Sequence, residues 1–186
     1  IAAPVADGGA APTLTCAEPT VLLGGSGTSA GPGIAYQWTT SDGNIVGDGT
    51  AAQVQVDAPG AYTLLVTDTG NGCTAESTVV VDENTAAPVA DAGLPASLTC
   101  ETSVLQIGSS GSAQGPAFTY QWQTSDGRFA SRTDTLFPLV DAPGTYELTV
   151  RDIGNGCESR AAVRIDENRD LPAVDPGPPP TLTCTE

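Results

Sequence analysis

Apolar and polar residues alternate along short stretches of this chain, and no stretch repeats its apolar residues at helical spacing. The alternation is plainest where Gln53 and Gln55 interleave with Val54 and Val56. Between such runs stand turn formers, among them Ser41-Asp42-Gly43, Asp57-Ala58-Pro59-Gly60 and the loop 68–72. The pattern predicts strands at 13–16, 20–23, 34–40, 52–56, 61–67 and 78–81. The same order recurs in the second half, except that Pro138 interrupts the counterpart of 52–56, which predicts an edge strand or a bulge there. About seven short strands in each half predict an all-β fold of antiparallel sandwiches.

The recurrence has a fixed period. Cys16, Cys100 and Cys184 each close a Leu-Thr-Cys triplet, and 100−16 and 184−100 are both 84; Cys73 and Cys157, each ending Gly-Asn-Gly-Cys, keep the same interval. Gapless repetition on this scale marks tandem domains, predicted here as repeat 1 at 1–86, repeat 2 at 87–170 and the start of a third at 171–186. The segment is expected to come from a longer periodic protein.

Repeats this small bury only about 60–65% of their unfolded surface, so a covalent staple is valuable. Two cysteines per repeat supply one: the expectation is Cys16 with Cys73 and Cys100 with Cys157, one disulfide per repeat, each closing a loop that contributes roughly 4 kcal/mol. Cys184 then finds its mate in sequence further downstream. Disulfides imply an oxidising compartment, hence secretion or the extracellular cell surface. Zinc is disfavoured by the absence of His and of any Cys-x-x-Cys.

The net charge of −16 comes from 22 acidic and 6 basic residues. The basic ones are all Arg and all in repeat 2 (128, 132, 151, 160, 164 and 169). Such acidity argues against nucleic acid and anionic membranes as partners, and no apolar run is long enough for membrane insertion. Without His or Lys there is no ordinary nucleophile-base constellation, and the expectation is a protein that is not an enzyme.

Tyr36-Gln37-Trp38-Thr39-Thr40-Ser41-Asp42-Gly43 followed by Pro59-Gly60-Ala61-Tyr62-Thr63-Leu64-Leu65-Val66-Thr67-Asp68 resembles a PKD-like, immunoglobulin-type repeat. With the Leu-Thr-Cys opening and Gly-Asn-Gly-Cys close, the chain is similar to repeats of very large Bacteroidota surface and gliding-associated adhesins. The resemblance covers both repeats and the start of the third. It implies export, often by the type IX system, and a structural or adhesive role in an extended stalk or extracellular filament, with neighbouring repeats and other copies as partners. It also leaves open a glycan- or protein-binding module, or spacer domains of a secreted hydrolase. In a stalk, disulfides limit extension under load and junction stiffness sets reach.

Candidate sites follow from the residues that remain. Asp82-Glu83-Asn84 and Asp91 at one junction, and Asp166-Glu167-Asn168 and Asp175 at the next, offer hard oxygen ligands suited to Ca²⁺, similar to the acidic linkers of cadherins. The alternative is a solvated linker in which Asn84 and Asp91 cap turns. Tyr36, Trp38, Tyr120 and Trp122 are core aromatics or sugar-stacking platforms. Arg128 and Arg132 are ligands for a partner's carboxylate or ion-pair partners of acidic residues in a neighbouring repeat. Phe129 and Phe137 stand where repeat 1 has Ile45 and Gln53, either as an exposed apolar contact or as repacked core. Asp134-Thr135-Leu136 resembles the O-glycosylation acceptor of Bacteroidota, with Thr135 as acceptor, or is a chance tripeptide. No Asn-x-Ser/Thr sequon is present, and isopeptide staples are excluded by the lack of Lys.

Overall fold

The computed structural model describes residues 2–170 together with Asp175 and Gly177. The start of the third repeat, with Cys184, otherwise lies outside the described residues. Among the described residues the structure is strand and turn throughout, with no helix.

Repeat 1 is built from β1 (Thr13–Thr15), β2 (Val21–Leu23), β3 (Ile34–Thr40), β4 (Ile45–Val46), β5 (Val54–Val56), β6 (Gly60–Asp68) and β7 (Thr74–Asn84). One sheet has the order β1-β7-β6-β3 and the other β2-β5-β4. β3, β6 and β7 are antiparallel to one another, whereas β1 runs parallel to β7, with Thr15 level with Asn84. Repeat 2 uses β8 (Ala96–Thr99), β9 (Leu105–Gln106), β10 (Phe118–Thr124), β11 (Leu139–Val140), β12 (Gly144–Asp152) and β13 (Glu158–Asn168). Its larger sheet is ordered β10-β12-β13-β8, again with the first strand parallel to the last, and Thr99 is level with Asn168. This is the immunoglobulin-like sandwich arrangement that the strand count predicts.

Alternation sets each core. On β6, Tyr62, Leu64 and Val66 are fully buried while the residues between them are only partly covered, and Tyr146, Leu148 and Val150 repeat this on β12. Trp38 and Trp122 fill the centres at 2% and 1% exposure, so they are core residues and not sugar platforms. Each buried Val or Leu of this kind stabilises its sandwich by about 1.5–3 kcal/mol. Tyr62 and Tyr146 also form corners: each hydroxyl donates to the carbonyl four residues earlier, Ala58 or Ala142, at 2.6 Å.

The structure departs from the predicted strands in two places. The last strand of each repeat runs eleven residues, far beyond 78–81, because its polar outward positions (Glu76, Thr78, Asp82) still pair in the ladder. Pro138 shortens its strand instead of setting it at an edge, for Val140 still pairs with Leu105 on one side and Phe129 on the other. Its strand shrinks to β11, its carbonyl accepts the Ile107 amide at 3.1 Å, and a single Phe129–Val140 bridge replaces the β4 pairing of repeat 1.

The segments that enter each sandwich are tied down, not free linkers. Val5 and Asp7 carbonyls accept from Ser29 and Gly25, and Val89 and Ala92 carbonyls accept from Ala113 and Gly108. Residues 89–93 therefore belong to repeat 2, and the chain between β7 and this anchored segment is short.

Candidate functional site: the joint between the repeats

The expected pairing of cysteines is overturned. The disulfide joins Cys16 to Cys157, with their Cα atoms 5.0 Å apart, and Cys73 and Cys100 are free thiols. The parallel pairing of β1 with β7 is the reason. It sets Cys16 beside the C-terminal end of β7, whereas Cys73 immediately precedes Thr74 at the other end of that strand. Eleven residues of strand place the two roughly 35 Å apart, and a disulfide needs Cα atoms within about 7 Å. Cys100 and Cys157 are separated by β13 in the same way. The bond therefore ties the opening of one repeat to the closing loop of the next.

Around the disulfide, the 152–157 loop of repeat 2 is pressed against the end of repeat 1. The Ala17 amide donates to the Asn155 carbonyl at 3.1 Å. The Asn155 side-chain nitrogen donates to Asn84 Oδ1 at 3.2 Å and to the Ala86 carbonyl at 2.9 Å, and Asn155 Oδ1 accepts the Cys157 amide at 2.9 Å. Asn155 is 2% exposed, and every polar group of its side chain is used. Gly156 has φ +75°, and a Cβ there would lie 2.6 Å from the Ala17 Cβ, so the approach admits only glycine.

The loop is shaped by its own sequence before it meets its neighbour. Asp152 Oδ1 accepts the Gly154 amide at 2.8 Å, the Asp152 carbonyl accepts Gly156 at 2.8 Å, and the Asp152 amide donates to the Cys157 carbonyl at 2.9 Å. The loop 68–73 repeats these three bonds through Gly70, Gly72 and Cys73.

The junction carboxylates lie elsewhere than in one cluster. Asp82, Glu83 and Asn84 are exposed on β7, level with Thr13, Leu14 and Thr15, and Asp166, Glu167 and Asn168 lie likewise along β8. Asn84 is taken up by Asn155. Asp91 turns onto its own loop, where Oδ1 accepts the Gly93 amide at 2.9 Å. A hydrogen bond from Ser109, helped by that of Gly93, holds its carboxyl below the ordinary aspartate value. Asp175 accepts from Gly177 at 2.9 Å. Among the described residues no group of three or more Asp, Glu or Cys side chains is placed to hold a metal ion.

The arginines are ion-paired within repeat 2. Arg128 meets Asp141 through Nε and Nη2 at 2.8 and 3.0 Å, which raises the guanidinium and lowers the carboxyl, and Arg132 meets Asp134 in the same manner. Arg151, Arg160, Arg164 and Arg169 pair with Glu158, Glu147, Asp166 and Glu167. Phe129 is repacked core, edge-on to Tyr146 at 5.1 Å, whereas Phe137 is 39% exposed. Phe137 borders an open groove of about 830 Å³ that Tyr120, Arg132, Thr135 and Leu139 also line. Thr135 is half-buried there, and its carbonyl accepts Trp122 Nε1 at 3.1 Å.

Sequence reasoning missed Ala17, Asn155 and Ala86. The missing signal was the parallel first strand, which fixes the end of the sandwich at which each cysteine lies. The interval between Cys16 and Cys157 is the repeat length added to the spacing of cysteines within a repeat, so the period alone allows either pairing.

No family model matches the chain, and no curated protein matches it. Among solved structures it is similar to an I-band fragment of titin (10% identity, TM-score 0.40, covering 90% of this chain and 64% of that one). It is also similar to the insect immune protein hemolin (14%, 0.41, 89% and 47%) and to Sidekick-1 immunoglobulin domains 1–4 (12%, 0.37, 90% and 48%). The chain spans less than two thirds of the length of each. The fold assignment rests on the strand order given above.

Proposed function

We propose that this chain is a structural and adhesive repeat segment of a secreted bacterial surface protein, serving as an extended stalk or filament in which successive sandwiches are locked in fixed orientation. The observation that carries this reading is the Cys16–Cys157 bond, which crosses the boundary between repeats instead of stapling either one. Two sandwiches joined only by a short linker swivel about it by default. A covalent tie beside the linker, together with the seated Asn155, adds a second connection and takes that freedom away. The disulfide also fits an exported protein, and the acidic surface keeps such rods soluble and apart.

Spin labels on the outer faces of β3 and β10 test the reading by distance measurement. A single narrow distance distribution is expected for the oxidised chain and a broad one after reduction. Equal breadth in both states would remove the rod as an explanation. Antibody labelling of intact source cells checks surface display.

A second reading, recognition of a glycan or protein by repeat 2, has the groove beside Phe137 in its favour. A glycan array probed with the chain and with Phe137→Ala tests it: reproducible binding lost in the variant supports recognition, and absence of binding with the parent chain counts against glycans.

A further inference from the structure

The joint has two halves, and each repeat carries both. The inserting half is the loop 152–157, with Asn155 and Cys157. The receiving half is the turn after β1, with Cys16 and Ala17, beside the end of β7. One inserting and one receiving half meet inside the chain. The other inserting half, the loop 68–73, and the other receiving half, at 99–102 beside the end of β13, are unmatched among the described residues.

Both unmatched halves have the shape they need. The loop 68–73 holds the same backbone hydrogen bonds as its counterpart, and Gly72 has φ 76° against 75° at Gly156. A Cβ on Gly72 would meet nothing within 4 Å, so the bare backbone that Ala17 requires in the closed joint is here facing open space. Asn71 Oδ1 accepts the Cys73 amide at 2.8 Å, as Asn155 does for Cys157. Its nitrogen, with no neighbour to reach, donates to Asp68 Oδ2 at 2.8 Å, and the residue is exposed. At the receiving end, the Thr99 amide donates to the Thr102 carbonyl at 3.0 Å, as Thr15 does to Glu18. Thr99 Oγ1 accepts the Thr102 amide at 3.0 Å, as Thr15 Oγ1 does from Glu18.

The sequence differences between the two receiving ends leave the contacts intact. Glu101 and Asp170 stand where Ala17 and Ala86 do, but those two alanines contribute a backbone amide and a backbone carbonyl. The one side-chain acceptor, Asn84, has Asn168 as its counterpart. Cys100 is exposed and Cys73 half-buried, and both are free.

We propose that these two unmatched halves are complementary and serve the joints with adjoining repeats: a loop of the 68–73 form docks on a receiving end of the Cys100 form and closes a disulfide of the Cys73–Cys100 kind, a pairing that two copies of this chain reproduce in trans. The joint would have the form of Cys16–Cys157, so successive repeats couple head to tail into a covalent strand. The proposal rests on the rod reading above and adds to it the partner and the register of assembly. The chemistry is thiol–disulfide exchange with a low-molecular-weight disulfide. The first thiol loses its proton and its thiolate displaces one reduced small thiol. The second thiolate then attacks the mixed disulfide and displaces another, so two protein thiols are oxidised and one small disulfide is reduced.

Selectivity separates this joint from random oxidation. All proteins carry Cys184→Ser in the full chain, and the probe is a glutathione redox buffer with enough salt to screen repulsion between acidic chains. Products are read by non-reducing electrophoresis and peptide mass spectrometry. The parent should give a ladder. Cys73→Ser alone and Cys100→Ser alone should stay monomeric, while their equimolar mixture gives one dimer with a Cys73–Cys100 peptide. Asn71→Ala in the partner that supplies Cys73 should slow coupling at least five-fold. Homodimers of either single variant forming as fast as the mixed dimer, or no coupling in any sample, would overturn the proposal. A narrow spin-label distance in an uncoupled chain would leave the rod reading standing while the head-to-tail joint fell.

Discussion

The side chain of Asn155 is seated against Asn84 across the boundary between the two repeats, with nitrogen and oxygen 3.2 Å apart, while its counterpart Asn71 is turned back on Asp68. Replacing Asn155 with Ala leaves Asn84 Oδ1, the Ala86 carbonyl and the Cys157 amide without their partner. A lost buried hydrogen-bonding group of this kind costs about 1–3 kcal/mol. The cost falls on the docked joint, so reduction of Cys16–Cys157 by dithiothreitol is expected to speed up by roughly five- to a hundred-fold. Asn71→Ala, in the same loop sequence without a neighbour, should leave that rate unchanged. Thiol release followed over time measures both.

The position of the disulfide decides which part of the chain bears tension. With Cys16 bonded to Cys157 at a sequence separation of 141, load applied at the two ends passes through the sulfurs, and residues 17–156 lie outside its path. Reduction releases that loop, which is roughly 480 Å of extended chain at about 3.4 Å per residue. Single-molecule pulling should therefore show a large gain in contour length on adding a reductant. The same gain is expected for Cys16→Ser without reductant. Bonds within each repeat would have given two smaller, separable gains.

Tyr146 supports its turn through three hydrogen bonds. Its one hydroxyl proton is shared between the Ala142 carbonyl at 2.6 Å and the Arg128 carbonyl at 3.1 Å, and its oxygen accepts the Arg128 amide at 2.9 Å. Tyr146→Phe keeps the ring and its packing on Phe129 but strands these backbone groups, at about 1–3 kcal/mol. Burial raises the phenol above its ordinary value of 10.0. A raised folded value means that this contribution is complete below the unfolded value and is lost as pH rises through the folded one. Thermal melting should accordingly show a lower midpoint for the variant at neutral pH and a gap that narrows in strong alkali.

Much of the fold was readable from the chain because it depends on local pattern. The limits of β3 and the buried face of β6 follow from alternation, whereas Pro138 shortens its strand without moving it to an edge. The joint was not readable in this way. Which cysteine meets which depends on strand direction, and a three-residue strand such as β1 carries no sign of whether its partner runs parallel or antiparallel. Asn71 and Asn155 illustrate the limit: both stand in Gly-Asn-Gly-Cys, and one is exposed while the other is buried. The arginines were legible as charges, but their partners Asp141 and Asp134 are chosen by turn geometry.

Asp126 supplies an acid-sensitive tie between the β10 turn and the start of β12. Its Oδ1 accepts the Thr145 amide at 2.8 Å and the Thr124 hydroxyl at 3.2 Å, and the bond from Thr145 does most to lower the carboxyl below 3.8. A depressed folded value means that the stabilisation is fully present above the unfolded value and is lost as pH falls through the folded one. Asp126→Asn keeps an oxygen acceptor for Thr145 but removes the charge that strengthens the bond. The variant should therefore melt below the parent at pH 7 and approach it in acid, as pH falls through the depressed folded value and the parent carboxylate takes up its proton. Melting curves of both proteins between pH 2 and pH 7 check this, and parallel curves with a constant offset would show that Asp126 acts through shape alone.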